Sequence, residues 1–200
     1  MPSVLRWRLG LAALLTALQI PASAEVTAFQ DNLSLEGVSF AIQAAGQTAP
    51  QQLTITTTGT LQPIPPIRRL VDGRVMAAQV ADLNGDGQPE LYLLAPGERN
   101  SGHGALMGYA LLNGNRLEPI PLEQNSGPGS SAFQDYRGQD SLAVIEGCLV
   151  RRFPLKRTAG STDGDGRAER QICYELVSRP TGLLLRPAAV MTVTTPQSPR

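Results

Sequence analysis

The chain carries one histidine, one tryptophan and two cysteines in 200 residues, and aromatic residues make up only 4%. A zinc centre draws on several His or Cys ligands, so none is expected. A Ser or Cys hydrolase needs a base beside its nucleophile. The lone His103 lies in a glycine-rich stretch, Gly97-Glu-Arg-Asn-Ser-Gly-His-Gly104, and both cysteines are expected to be oxidised. Paired carboxylates could serve a glycosidase, but the acidic residues cluster in turns, and no enzymatic activity is expected. Long apolar runs are lacking too. The longest, Leu9 to Ile20, falls short of the roughly 20 residues that a membrane helix needs, so no membrane partner is expected. Neither sign of charge dominates, with 17 basic against 17 acidic residues, and nothing marks a nucleic-acid surface.

What is present begins with MPSVLRWRLGLAALLTALQIPASA, where Arg6 and Arg8 precede the apolar run and Ala22 and Ala24 occupy the positions of a cleavage site. This pattern reads as a secretory signal peptide over residues 1–24, cut near Ala24. The mature chain is then expected to be periplasmic or secreted. Cleavage leaves 200 − 24 = 176 residues, enough for one domain with a real core, assigned to residues 25–190. It also removes Trp7 and two positive charges, for a net charge of minus two. In an oxidising compartment Cys148 and Cys173 are expected to pair. They fall at similar distances from the centre of a hairpin expected between strands 142–153 and 169–178.

Most of the chain reads as short strands broken by Gly, Pro, Asn and Asp, with no sustained helical periodicity. The expected class is all-β, an antiparallel sandwich or flattened barrel of about eight strands with long loops. Gln51-Gln-Leu-Thr-Ile-Thr-Thr-Thr58 alternates like a half-buried strand. Asp72-Gly73 and Asn113-Gly114 are hairpin signals, whereas residues 35–45 are ambiguous between helix and strand. A Gly- and Ser-rich loop is expected over residues 123–138, and a Thr- and Pro-rich tail over 191–200.

The densest segment is Ala81-Asp-Leu-Asn-Gly-Asp-Gly-Gln-Pro-Glu-Leu91. Asp82, Asn84 and Asp86 place oxygens at alternate positions, Gly87 permits a sharp turn, and Glu90 returns a carboxylate as a strand begins. Such spacing suits calcium, which collects six to eight oxygen ligands. An EF-hand would need a bidentate Glu at position twelve, where Leu93 stands, so the choice lies between a short strand-loop-strand site of the FG-GAP type and a metal-free polar turn. Calcium is the one cofactor the residues suggest, and none is required. Ser161, Asp163, Asp165 and Glu169 echo the spacing as a weaker metal candidate, since Asp-Gly clusters are ordinary turn chemistry.

Several segments carry a resemblance: Arg74 to Tyr92, Ser101-Gly102 ahead of Tyr109, Asp140 to Pro154 with EGCLVRRFPL as its most specific part, and Arg170 to Leu176. In order and spacing, over residues 52–187, they resemble the periplasmic inhibitors of invertebrate-type (I-type) lysozyme. The resemblance implies a β-rich domain without activity of its own, whose Ser-Gly-containing loop enters a lysozyme cleft. Lysozyme is then the implied protein partner, and because related inhibitors are often dimeric, a homodimer is a further implied state. Ser101 and Gly102 match the inhibitory element. His103 and Gly104 stand where an aromatic residue follows in the family, and the loop is one residue shorter.

A lysozyme cleft holds two carboxylates, and Ser101 Oγ, the amides of Gly102 and Gly104 and the imidazole of His103 are suitable donors to them. Arg99 could pair with an acidic rim. Because imidazole titrates near neutrality, binding through His103 would strengthen below about pH 6.5. The competing reading is a calcium-binding FG-GAP-like module with another exported partner.

Overall fold

A computed structural model of the chain describes residues 26–96, 105–123, 130–136, 138–156 and 167–195. Residues 1–25 and 196–200 lie outside that set. Twelve strands form three antiparallel sheets of four, each a simple meander in chain order. The first sheet holds β1 (Thr27–Leu35), β2 (Val38–Ala45), β3 (Gln51–Thr58) and β4 (Ile67–Val71). β5 (Ala77–Ala81), β6 (Glu90–Ala95), β7 (Ala105–Leu112) and β8 (Arg116–Ile120) make the second. The third comprises β9 (Ser141–Ile145), β10 (Cys148–Pro154), β11 (Arg167–Arg179) and β12 (Gly182–Thr195). The chain is therefore all-β, consistent with a sandwich but with twelve strands among the described residues where about eight were expected. No closed barrel forms among the described residues.

The sheets stack face to face because their apolar residues alternate to match. Val38, Phe40, Ile42 and Ala44 on β2, with Leu53 and Ile55 on β3, pack against Leu91, Leu93, Tyr109 and Leu111 of the middle sheet. The opposite face of the middle sheet turns Tyr92, Leu94, Leu106 and Ala110 towards Leu149, Phe153, Ile172 and Tyr174 of the third. β6 is thus buried on both faces, and all six of its residues are inaccessible. That is why LYLLA, after Glu90, is a continuous apolar run rather than an alternating one. Full burial of one such leucine contributes about 1.5–3 kcal/mol.

One ambiguity is settled and three expectations need correction. Residues 35–45 contain no helix; β1 and β2 meet at Glu36-Gly37, with φ of 49° and 77°. The strand expected over 142–153 is two strands joined at Glu146-Gly147, with φ of 50° and 75°. Asp72-Gly73 closes no hairpin, since β4 and β5 belong to different sheets. Gly73 instead sits where the chain crosses against the end of β6, and a Cβ there would meet the Ala95 carbonyl at 2.5 Å. The expected tail is strand as far as Thr195, with Met191 to Thr195 paired to Gln171 to Arg167. Asn113-Gly114 does turn the chain, both residues having positive φ.

The cysteines pair as expected, Cα to Cα 5.7 Å. Their register differs, for Cys173 stands opposite Val150, and Cys148 reaches it diagonally. On the other face of β10, Arg151 shares the parity of Leu149 and Phe153 and enters the core. Its Nε donates to Asp140 Oδ1, and the Tyr136 hydroxyl donates to the other carboxylate oxygen. The guanidinium also lies 4.8 Å from the centroid of Phe133. The segment EGCLVRRFPL therefore supplies a turn, half of the disulfide and a buried cation.

Candidate functional site

β6 has a candidate feature at each end. Before Glu90 lies the acidic turn; after Ala95 lies the segment that returns as β7. Ala95 stands opposite Ala105, so the end of β6 is paired with the start of β7, and residues 97–104, outside the described set, lie between them in sequence.

In the acidic turn the polar atoms are largely occupied by one another. Asp82 accepts from the amides of Asp86 (3.0 Å, Oδ1) and Gly87 (2.8 Å, Oδ2). Asn84 donates to Asp86 Oδ2 at 2.9 Å, and Asp86 Oδ1 accepts from the Gln88 amide at 2.8 Å. Gly85 and Gly87 have φ of 71° and 78°, a region that glycine enters without steric cost. Gln88 carries the turn onto its neighbour, its Oε1 accepting from the Gly114 amide at 2.7 Å. The Gly114 carbonyl in turn accepts from the Leu61 amide at 2.8 Å, linking the first sheet to the second.

Glu90 differs from the other acids in being 1% exposed. Its Oε2 accepts from the Leu83 amide at 2.8 Å and lies 3.4 Å from the Tyr92 hydroxyl. Burial pushes its carboxyl up to about 7, the Leu83 bond opposes this, and repulsion from Asp82 and Asp86 adds to it. The same desolvation, with Glu90 beside it, holds the Tyr92 phenol in its protonated form. Carboxylate oxygens of Asp82, Asp86 and Glu90 all lie within 4.8 Å of one another. With the amide oxygen of Asn84 they make a hard, all-oxygen donor set of the kind that calcium takes.

The other expected site residues fare unequally. Arg99, Ser101, Gly102, His103 and Gly104 lie outside the described residues, as do Ser161, Asp163 and Asp165. Glu169 lies on β11, where it accepts from Gln171 Nε2 at 3.1 Å. Sequence reading did not single out Tyr92, Gln88 or the Arg151, Asp140 and Tyr136 cluster. For Arg151 a signal was available in its parity with Leu149 and Phe153; for Gln88 there was none, because its partner comes from a distant turn.

Among the described residues no helix is long and apolar enough to cross a membrane. The disulfide is compatible with an oxidising, exported environment. Comparison of the chain with family models, with curated proteins and with solved structures finds no match.

Proposed function

We propose that this is an exported protein, delivered by the leader over residues 1–24, that binds and inhibits a lysozyme through Arg99 to Gly104. The observation that carries the reading is the rung between Ala95 and Ala105. Those two residues flank the Ser-Gly-containing segment in sequence, and they are paired ends of two central strands, one of them buried throughout. A segment held at both ends by rigid strands gives up less conformational freedom on binding than one on a free loop. The resemblance over residues 52–187 supplies the target class. In this reading Ser101 Oγ, the amides of Gly102 and Gly104 and the His103 imidazole donate to the paired carboxylates of the cleft, while the bulk of the segment excludes substrate.

The test is a cell-wall lysis assay with lysozymes of several classes, with and without the protein. Inhibition of at least one class, lost in the Ser101→Ala/Gly102→Ala variant while its melting temperature stays unchanged, is the expected result. Lysis at an unaltered rate with every class would overturn the proposal. Inhibition that survives the double substitution would move the site elsewhere.

A second reading is favoured by one specific observation, the convergence of three carboxylates within 4.8 Å, one of them buried. In it the chain is a calcium-binding FG-GAP-like module, with Asp82, Asn84, Asp86 and Glu90 holding the ion. Calcium would supply charge compensation for Glu90 and rigidity for the turn. Isothermal titration with calcium tests this directly, and the absence of any binding heat would rule it out.

A further inference from the structure

At one end of the core they share, the second and third sheets part around a cleft of about 260 Å³. That is just under the roughly 300–1,000 Å³ of most small-ligand sites. β7 and β8 make one wall, and the hairpin joining β11 to β12 makes the other. Small side chains open the gap. Ser178 has the parity of Ile172, Tyr174 and Leu176 and so faces the second sheet. Ala110 stands on the opposite wall. A hydroxymethyl and a methyl do not fill the roughly 10 Å between stacked sheets. Leu112 and Leu183, which pack against the edge of the core, supply an apolar floor.

Main-chain pairing between the sheets also stops at this cleft. Leu122 and Leu185 form an isolated parallel bridge, in which the Leu185 amide donates to the Pro121 carbonyl at 2.9 Å and the Glu123 amide to the Leu185 carbonyl at 2.8 Å. Two residues earlier on β12, Leu183 turns its backbone the same way, away from β11. The next rung would run from the amide of residue 121 to the Leu183 carbonyl, but residue 121 is proline and has no N–H. The Leu183 carbonyl is thus an acceptor for which β8 has no donor.

Opposite charges stand on the two walls, Glu118 on one and Arg179 on the other. Each has only an exposed partner. Arg116 Nε lies 2.8 Å from Glu118, with side chains 62% and 46% accessible, and Arg179 Nη2 lies 3.2 Å from Glu123, with 45% and 38%. Ion pairs this exposed contribute little, so a ligand can replace either partner. A ligand of one sign would meet a like charge across the cleft.

We propose that the cleft binds a short zwitterionic peptide with an apolar side chain. Its ammonium group pairs with Glu118, its carboxylate with Arg179, and its side chain lies against Leu112 and Leu183. The peptide N–H donates to the Leu183 carbonyl in place of the group that Pro121 lacks. A free amino acid has no amide to give, so a dipeptide is the smallest ligand that uses all three contacts. Nothing in this site depends on lysozyme or calcium.

Isothermal titration with alanyl-leucine tests the assignment, alongside its N-acetyl form, its C-terminal amide and free leucine. The dipeptide should bind one to one, and each of the other three at least tenfold more weakly. Glu118→Gln should weaken the dipeptide at least tenfold and leave the N-acetyl form unchanged; Arg179→Gln should do the same with respect to the amide. Ser178→Trp, at an exposed position, should fill the cleft and abolish binding with an unchanged melting temperature. No binding heat at millimolar dipeptide overturns the proposal. So does a blocked form, or leucine, that binds as tightly as the dipeptide, or a folded Ser178→Trp variant that still binds.

Discussion

Arg151 Nε and Asp140 Oδ1 meet 2.6 Å apart in the core between the second and third sheets, with their side chains 1% and 0% exposed. An ion pair at this depth contributes little net stability over an apolar pair of the same shape, but losing one partner strands a charge. Arg151→Leu is expected to cost about 3–5 kcal/mol, lowering the melting temperature by about 6–20 °C. Arg151→Leu with Asp140→Leu should cost less than Arg151→Leu alone. Urea denaturation of the three proteins decides this, and equal losses for the single and double variants would show that packing, not charge, governs the site.

Glu90 makes stability depend on pH. Its carboxyl is raised from 4.5 to about 7, chiefly by burial, so the folded state holds its proton more tightly than the unfolded chain does. The resulting stabilisation is complete below about pH 4.5 and is lost as pH rises through 7. At about 1.4 kcal/mol per unit, the change is on the order of 3 kcal/mol. Glu90→Gln keeps an acceptor for the Leu83 amide and should flatten this part of the stability profile. A wild-type profile that does not fall between pH 5 and 8 without calcium would contradict the assignment.

If calcium occupies the turn, it compensates the charge that makes Glu90 costly. Saturating calcium is then expected to raise the melting temperature at pH 8, and by less at pH 5.5, because a protonated Glu90 is a poor ligand. Asp82→Ala should abolish the shift. It also removes the acceptor for the Asp86 and Gly87 amides, so the comparison is between calcium and chelator for each protein separately. No shift in the wild type at either pH would leave the turn metal-free.

Cys148 and Cys173 are 25 residues apart in sequence, and closing a loop of that length contributes roughly 3 kcal/mol in the chain-entropy model. Replacing both with alanine is expected to lower the melting temperature by about 6–12 °C. Reduction of the wild type should match it. A much smaller effect would mean that the paired strands already hold the loop ends together in the unfolded ensemble.

Where local pattern decided the structure, it was legible. The alternating strand from Gln51 to Thr58, the Asn113-Gly114 turn and the start of a strand at Glu90 all reappear where expected. Glu36 and Glu146 were misleading, because glutamate seldom enters the left-handed region that both occupy ahead of a glycine. Without a visible turn, residues 142–153 read as one strand. Asp72-Gly73 offered the opposite trap: a strong turn signal used where the chain leaves one sheet for the next. The start of the expected tail at Met191 was wrong because its threonines and prolines look unstructured, whereas pairing to β11 keeps Met191 to Thr195 in strand. In the acidic turn the ligand-like spacing was evident, but the burial of Glu90 was not. Glu90 shares a face of β6 with Tyr92 and Leu94, which pack against the third sheet, whose residues lie more than 50 positions further along the chain.

The middle sheet has no outside. Tyr92 and Leu94 look to one neighbour, Leu91 and Leu93 to the other, so removing either flanking sheet would wet one side of the same strand. Although the chain is laid out as three similar meanders in succession, it is not a modular array that could be shortened by one unit. Melting should proceed as a single transition. A proteolytic cut anywhere in β9 to β12 should be felt as far away as Phe40.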